Sequence, residues 1–163
     1  MRAFMRQLLP TKVGAEIGVY HGGNAIEIFN TLDLDKLHLV DHYQAYEAPE
    51  AHVFVTQEKQ DESKALAFKN LEHLKDKIEW HIKPSVEAAE DIPDESLDFV
   101  YIDATHSYEA LTEDLNAWYQ KVRTGGLVSG HDWEYATIRQ AVLDFTEPHG
   151  HQVKDDGDWW FIK

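Results

Sequence analysis

Two aspartates and a histidine have the residue types and the spacing for proton or metal chemistry. Asp103 and Asp132 each follow an apolar segment of strand length, and His106 comes three residues after Asp103. Open α/β sheets bind ligands at the carboxyl ends of their parallel strands, so the two carboxylates can converge on one point. His106 could then act as a general base toward a hydroxyl group. The alternative is a histidine near a helix start that only bonds the backbone.

A glycine-bearing turn provides a second candidate site. The stretch EIGVYHGG places Glu16, Gly18 and Gly22 between a predicted strand and a predicted helix. Glycines let the backbone turn tightly and approach a ligand, and the helix start offers free N–H groups. Asp41 ends the next predicted strand about 20 residues after Gly18, where a carboxylate can bind both hydroxyls of a ribose. A tight turn alone could also explain the glycines, and an N-cap or turn role could explain Asp41.

The elements that must position these residues follow from the hydrophobic pattern. Apolar runs of strand length alternate with segments of helical period, as in βαβ units around a parallel sheet. The predicted strands are Gly14–Val19, Leu37–Asp41, Ile78–Lys83, Leu97–Asp103, Leu127–Gly130, His151–Val153 and Trp159–Ile162, the last two as a hairpin. The predicted helices are Asn24–Asn30, Gln57–Leu74, Val86–Ala89, Tyr108–Val122 and Ala136–Phe145, with Thr124-Gly125-Gly126 ending the fourth and Tyr43–Val55 left irregular. We therefore expect a single α/β domain over residues 1–163, with a mostly parallel sheet.

Composition excludes several classes of function. The formal net charge is −15, which argues against nucleic acid and anionic membranes as partners because both are bound by clustered lysine and arginine. The chain has no cysteine, so disulfides, thiolate zinc sites and cysteine nucleophiles are excluded. We see neither a signal peptide nor an apolar run near the ~20 residues of a membrane helix. A cytoplasmic protein is expected.

The glycine turn and Asp41 together resemble class I S-adenosylmethionine-dependent methyltransferases, from about Val13 to the C-terminus. Dinucleotide dehydrogenases prefer G-x-G-x-x-G, whereas these methyltransferases look more like the E-x-G-x-x-x-G found here. The resemblance implies a Rossmann-like fold and S-adenosylmethionine as cofactor. It implies that Glu16 and the two glycines line the methionine part, that Asp41 holds the ribose, and that His42 and Ser85 lie beside the adenine. The full implied set is Glu16, Gly18, Val19, Gly22, Asp41, His42, Ser85 and Asp103.

The stretches YIDATHSYEALTEDLNAW and RTGGLVSGHDW look like one branch of that family, which contains macrolide sugar O-methyltransferases and cephalosporin hydroxylase-like proteins. The branch implies that Asp103 and Asp132 are oxygen ligands of a divalent cation such as Mg²⁺. His131 is a further candidate ligand, and imidazole suits Mn²⁺, Fe²⁺ or Zn²⁺ better than Mg²⁺. The candidate catalytic residues are His106 and Asp103.

We therefore expect an enzyme that methylates a hydroxyl group of a small molecule, with a divalent metal as a further candidate cofactor. Two alternatives stay open: a hydroxylase-like enzyme, whose product gains oxygen, and a non-catalytic module that binds S-adenosylmethionine. The chain lacks long insertions that could form a substrate lid. A second copy of the chain is therefore a candidate partner that completes the pocket.

Overall fold

The computed structural model describes residues 11–48 and 53–163 of the chain. The strands are β1 (Val13–Ile17), β2 (Lys36–Val40), β3 (Tyr46–Ala48), β4 (Val53–Val55), β5 (Ile78–His81), β6 (Leu97–Ile102), β7 (Val122–Gly130), β8 (Lys154–Asp155) and β9 (Trp159–Ile162). The helices are α1 (Gly23–Thr31), α2 (Gln57–Leu71, continued by a 3₁₀ helix over Glu72–Lys77), α3 (Ser85–Ala89), α4 (Tyr108–Tyr119) and α5 (Ala136–His149). None of the helices in these ranges has both the length and the apolar composition to span a bilayer.

Seven strands form one sheet in the order β5-β2-β1-β6-β7-β9-β8. The first five strands in that order are parallel to one another, whereas β9 is antiparallel to both β7 and β8. The predicted Rossmann-like fold, with a mostly parallel sheet and an antiparallel C-terminal hairpin, is confirmed. Because β1 is followed by β2 on one side and paired with β6 on the other, the strand order reverses at β1. Such a reversal opens a crevice at the carboxyl ends of the central strands.

Alternate residues of the strands enter two separate cores, one on each face of the sheet. Ala15 of β1 and Val100 of β6 pack in the core that α3, α4 and α5 cover. Leu39 of β2 and Phe99 of β6 pack in the core that α1 and the end of α2 cover. Both faces are buried, which is why the strands read as nearly continuous apolar runs in the sequence.

The strand β7 begins earlier than predicted, at Val122 rather than Leu127. Val122 is opposite Leu97 and Leu127 is opposite Phe99, so the residues between them bulge out of the ladder with β6. Gly125 within this bulge has a φ of +77°, which glycine adopts readily. The Thr124-Gly125-Gly126 segment therefore lies inside the strand, and the prediction that it ends the preceding helix was wrong.

Other boundaries also differ from the prediction. β3 and β4 pair antiparallel within a segment predicted to be irregular, of which positions 49–52 lie outside the described residues. Each of these strands has only three residues, too few for a clear alternating pattern. The last helix continues past Phe145 to His149 and ends at Gly150, whose φ is +71°. The strand β8 lies at Lys154–Asp155 rather than at positions 151–153.

Four neighbouring strands end level with one another at one edge of the sheet. Ile17 pairs with Val40 on one side and with Ile102 on the other, and Ile102 pairs with Gly130. Glu16 lies one residue before the end of β1, and Asp41, Asp103 and Asp132 follow the ends of β2, β6 and β7 within two residues, so these four carboxylates share this edge.

Gly18 is the residue at which the turn after β1 contacts the end of β6. Its φ is +86°, and its N–H donates a hydrogen bond of 2.9 Å to the carbonyl of Val40. A Cβ added to Gly18 would lie 2.0 Å from the carbonyl oxygen of Asp103, which is backbone and cannot rotate away. Conformation and space therefore both require glycine here.

We expect Gly18→Ala to lower the free energy of unfolding by about 2–5 kcal/mol, because strained backbone and overpacking each cost about 1–3 kcal/mol. Gly23→Ala is the matched control. A Cβ at Gly23 meets nothing within 4 Å, so its effect should stay within about 1 kcal/mol of zero. Urea denaturation measures both. A loss for Gly18→Ala no larger than that of the control would contradict this close contact.

Candidate active site

The turn between β1 and α1 is held in shape by glycines and by one carboxylate. Gly22 precedes α1 with a φ of +79°, and Tyr20 has a φ of +50°. Asp41 Oδ2 accepts hydrogen bonds from the N–H groups of Val19 and Tyr20, at 3.0 and 3.1 Å. Asp41 Oδ1 accepts a third from the N–H of Tyr43, at 2.9 Å. The carboxylate predicted to hold a ribose is thus also the anchor of the glycine turn.

Glu16 on β1 and Asp41 just after β2 lie near Tyr43, a residue that no motif in the sequence singles out. Glu16 is buried, and its Oε1 accepts a hydrogen bond of 3.1 Å from Asn24. Tyr43 is buried and its hydroxyl donates to the carbonyl of Tyr20, at 3.0 Å. Burial and then the charges of Asp41 and Glu16 raise the pKa of Tyr43 far above its ordinary value. Tyr43 therefore stays neutral, packs against the turn and donates a hydrogen bond to its backbone.

The two residues assigned to the adenine have different surroundings. His42 is partly exposed, and its Nδ1 accepts a hydrogen bond of 2.9 Å from the N–H of Gln44. Ser85 begins α3, and its Oγ accepts a hydrogen bond of 2.8 Å from the indole of Trp118. Ser85 also bonds the buried carboxyl of Asp114 on α4. Its hydroxyl is therefore directed toward α4.

A second group of titratable side chains lies after β6 and β7. His106 Nε2 is 2.5 Å from Asp132 Oδ2 and 3.8 Å from Asp103 Oδ1. His131 Nδ1 is 2.8 Å from Asp132 Oδ1. The structure thus brings together every predicted catalytic and metal-binding residue. They line a small open pocket whose apolar wall includes Trp159.

The local charges make His106 a stronger base than an ordinary histidine. Asp103 first and then Asp132 raise its pKa above the usual 6.5, against a partial opposing effect of burial. More than half of the His106 side chain is exposed, so protons can exchange with solvent. Asp132 itself is nearly buried and has a φ of +65°, a conformation that costs energy in a residue with a Cβ. Such strain is frequent at functional sites.

Asp103, His131 and Asp132 also offer ligand atoms that lie within 4.8 Å of one another. Two carboxylates and one imidazole suit a divalent ion of the Mn²⁺, Fe²⁺ or Zn²⁺ type. Both oxygens of Asp132 already contact imidazoles, so an ion would have to displace at least one of them. The three side chains have the right donor atoms for a metal. In this structure, however, Asp132 already contacts His106 and His131, and it can make these contacts without an ion.

Asp158 is a further residue of this site that the sequence analysis missed. Its Oδ1 accepts a hydrogen bond of 2.8 Å from the hydroxyl of Tyr101 and lies 4.0 Å from His131 Nε2. Asp158 follows Asp155-Asp156-Gly157, a run that predicts only a hairpin turn, since nothing local shows that the chain here folds back beside β6. Asp158 supplies a charge that can orient His131.

Comparisons with known proteins agree with this architecture. Residues 15–133 match the family model described as a methyltransferase domain. The O-methyltransferase NovP superposes with a TM-score of 0.69 at 17% identity, over 99% of this chain and 78% of that one. Precorrin-6y C5,15-methyltransferase from Geobacter metallireducens has a TM-score of 0.66 at 17% identity, over 99% and 86%. An rRNA methylase from Streptococcus thermophilus has a TM-score of 0.66 at 10% identity, over 98% and 90%. A search of curated proteins found no significant match.

The buried Asp114 beside Ser85 predicts a pH dependence of stability. Burial raises the pKa of Asp114 to about 6, against an opposing effect of the Ser85 hydrogen bond. A carboxyl whose pKa is raised on folding stabilises the fold below its unfolded pKa and loses that contribution as pH rises through the folded value. Relative to wild type, Asp114→Asn should therefore gain up to about 3 kcal/mol in unfolding free energy between pH 4 and pH 7. Urea titrations at both pH values measure this, and a pH-independent difference would refute the assignment.

Proposed function

This chain belongs to the methyltransferase-domain family, and from that membership we propose that it transfers a methyl group from S-adenosylmethionine to a hydroxyl group of a small molecule. The observation that carries the proposal is the contact between the two halves of the site. The glycine turn touches the backbone of Asp103 at Gly18, and Asp103 lies 3.8 Å from the imidazole of His106. A cofactor in the turn and a hydroxyl beside His106 would therefore be neighbours.

The residues around the turn fit S-adenosylmethionine in chemistry. The cofactor has a ribose diol and an ammonium group, and both need acceptors. Asp41 uses three of its roughly four acceptor positions on backbone N–H groups, which leaves capacity for a ribose hydroxyl. Gly18, Val19 and Gly22 allow a close approach along the backbone of the turn, with Glu16 beneath it. His42 and the backbone of Ser85 would border the adenine.

The chain itself has to align the acceptor and remove its proton. When bound, S-adenosylmethionine supplies a methyl group on a sulfonium, and transfer needs mainly alignment of the nucleophile with that carbon. His106 is placed to accept the hydroxyl proton at a ring nitrogen. Asp132 and Asp103 stabilise the imidazolium that forms, since both raise the pKa of His106. Trp159 and Ile102 line the pocket with apolar side chains, which would limit the access of water from their side.

A divalent ion is the second route to the same reaction. Asp103, His131 and Asp132 would hold it, and it would supply a lower pKa for the acceptor hydroxyl. The contact between His106 and Asp132 supports proton removal by His106 over the metal route. We also predict that a second copy of the chain is a partner and that the protein is cytoplasmic. The names of the similar solved structures indicate different substrates, so the comparisons do not identify the methyl acceptor of this chain.

Asp41→Ala should weaken S-adenosylmethionine binding about 10–100-fold, because a charge-assisted hydrogen bond to the cofactor and the anchor of the turn are both lost. Isothermal titration calorimetry measures the dissociation constant. Asp33→Asn is the control, since Asp33 is exposed and pairs with Lys12 at the amino ends of β1 and β2, whereas Asp41 lies at their carboxyl ends. Equal affinities for the two variants would exclude Asp41 from the cofactor site.

His106→Gln should reduce kcat/KM with a hydroxylated acceptor by about 10²–10⁴-fold and leave S-adenosylmethionine affinity unchanged. In wild type, kcat/KM should rise with pH through a midpoint above 6.5, because the neutral imidazole is the base and its pKa is raised. The variant should lack this rise. Formation of S-adenosylhomocysteine across a panel of acceptors is the assay.

The exposed His73 provides a matched control for this experiment, and His73→Gln should behave as wild type. A chelator added to both proteins separates the two routes, since only the metal route predicts a loss of activity in wild type. Product mass separates the alternatives. A gain of oxygen instead of a methyl group would establish a hydroxylase-like reaction, and cofactor binding without any product would establish a binding module.

A further inference from the structure

Two histidines and a glutamate form a cluster on β2 and β5, at the β5 edge of the sheet and next to the strand end that Asp41 follows. His38 lies on β2, while Glu79 and His81 lie on β5. The register places His38 opposite Glu79. Because side chains alternate along a strand, Glu79 and His81 project from the same face as His38. Both histidines are buried and Glu79 is about half exposed.

The atoms of this cluster face one another. His38 Nδ1 is 3.0 Å from His81 Nε2. Glu79 Oε2 is 3.9 Å from the first nitrogen, and Glu79 Oε1 is 3.9 Å from the second. Two facing ring nitrogens can share only one proton, so one of them presents a lone pair. Three donor atoms of the kinds that bind transition metals therefore surround one point.

The surroundings orient His81 for this arrangement. His81 Nδ1 is 3.4 Å from Asp91 Oδ2, and Lys83 holds the same carboxylate oxygen at 2.5 Å. A proton on Nδ1 directed at Asp91 leaves Nε2 with its lone pair toward His38 and Glu79. Carboxylates commonly fix metal-binding histidines in this way.

We propose that His38, Glu79 and His81 bind a zinc ion that joins the edge strand β5 to β2. Two imidazoles and one carboxylate are a ligand set for Zn²⁺, with water completing a tetrahedron, and imidazole disfavours Mg²⁺. Zinc–nitrogen bonds of about 2.0–2.1 Å in a tetrahedron separate the two nitrogens by about 3.3 Å. The 3.0 Å observed is close to that distance, so small side-chain rotations admit the ion.

Charge and access are consistent with this site. Both histidines are buried, and the half-exposed Glu79 is the side of the cluster through which an ion can enter. Lys36 Nζ lies 2.8 Å from Glu79 Oε2 and competes for that oxygen. Lys36 and Glu79 are both about half exposed, so the ammonium can move into water as the ion enters. The proposal is independent of the proposed methyl transfer.

The test is zinc binding to the full chain after treatment with a chelator, measured by calorimetry. We expect saturable binding, and we expect the midpoint of thermal unfolding to rise by about 5–10 °C at a zinc concentration 100-fold above the dissociation constant. Co²⁺ in place of zinc should give the visible absorption of a tetrahedral nitrogen and oxygen site.

Two variants locate the ion. Glu79→Gln changes a half-exposed side chain, so the protein should fold, and it should weaken this binding at least about tenfold. His131→Gln removes a ligand from the other candidate group and should leave this binding unchanged. Zinc binding that is absent in wild type, or that is lost in His131→Gln and retained in Glu79→Gln, would overturn the proposal. The histidines would then form only a buried hydrogen bond.

Discussion

The contact between the turn after β1 and the end of β6 decides where chemistry can occur in this domain. The N–H of Asp103 donates to the carbonyl of Ile17 at 2.7 Å, and the N–H of Gly18 donates to Val40 at 2.9 Å. Backbone hydrogen bonds therefore join the end of β1 to both neighbouring strands, and the Asp41 carboxylate adds two more to the turn itself. Because no side chain fits between Gly18 and the carbonyl of Asp103, the turn after β1 and the loop after β6 are in direct backbone contact. Every proposed functional group emerges on one side or the other of this contact.

In the proposed function, proton transfer and metal binding would compete for the carboxylate of Asp132. Its two oxygens contact His106 and His131, at 2.5 and 2.8 Å. A proton on His106 strengthens one contact, whereas an ion coordinated by Asp132 would repel an imidazolium at that distance. The two states are therefore coupled through the same atoms. Of the two proposed routes, the raised pKa of His106 favours the histidine base.

The parts of the site that follow from sequence are those encoded locally. A carboxylate that ends an apolar strand must lie at the carboxyl edge of a parallel sheet, which correctly placed Asp41, Asp103 and Asp132. Residues brought in by distant pairing could not be identified. Asp158 reaches the site only because β9 pairs with β7. The bulge of β7 depends on its register with β6, and the meeting of His38 with His81 depends on β2 pairing with β5.

Asp41 combines an observed structural role with the proposed role in ribose binding, and the two are compatible. As a turn residue it accepts three backbone N–H groups, which gives the turn after β1 its shape. Those same bonds hold the carboxylate in one orientation, so little conformational entropy remains to be lost when it binds a ligand. The N–H groups partly compensate its negative charge, which lowers the cost of burying it under a ribose. A carboxylate used in this way is preorganised for hydroxyl recognition because it is already part of the fold.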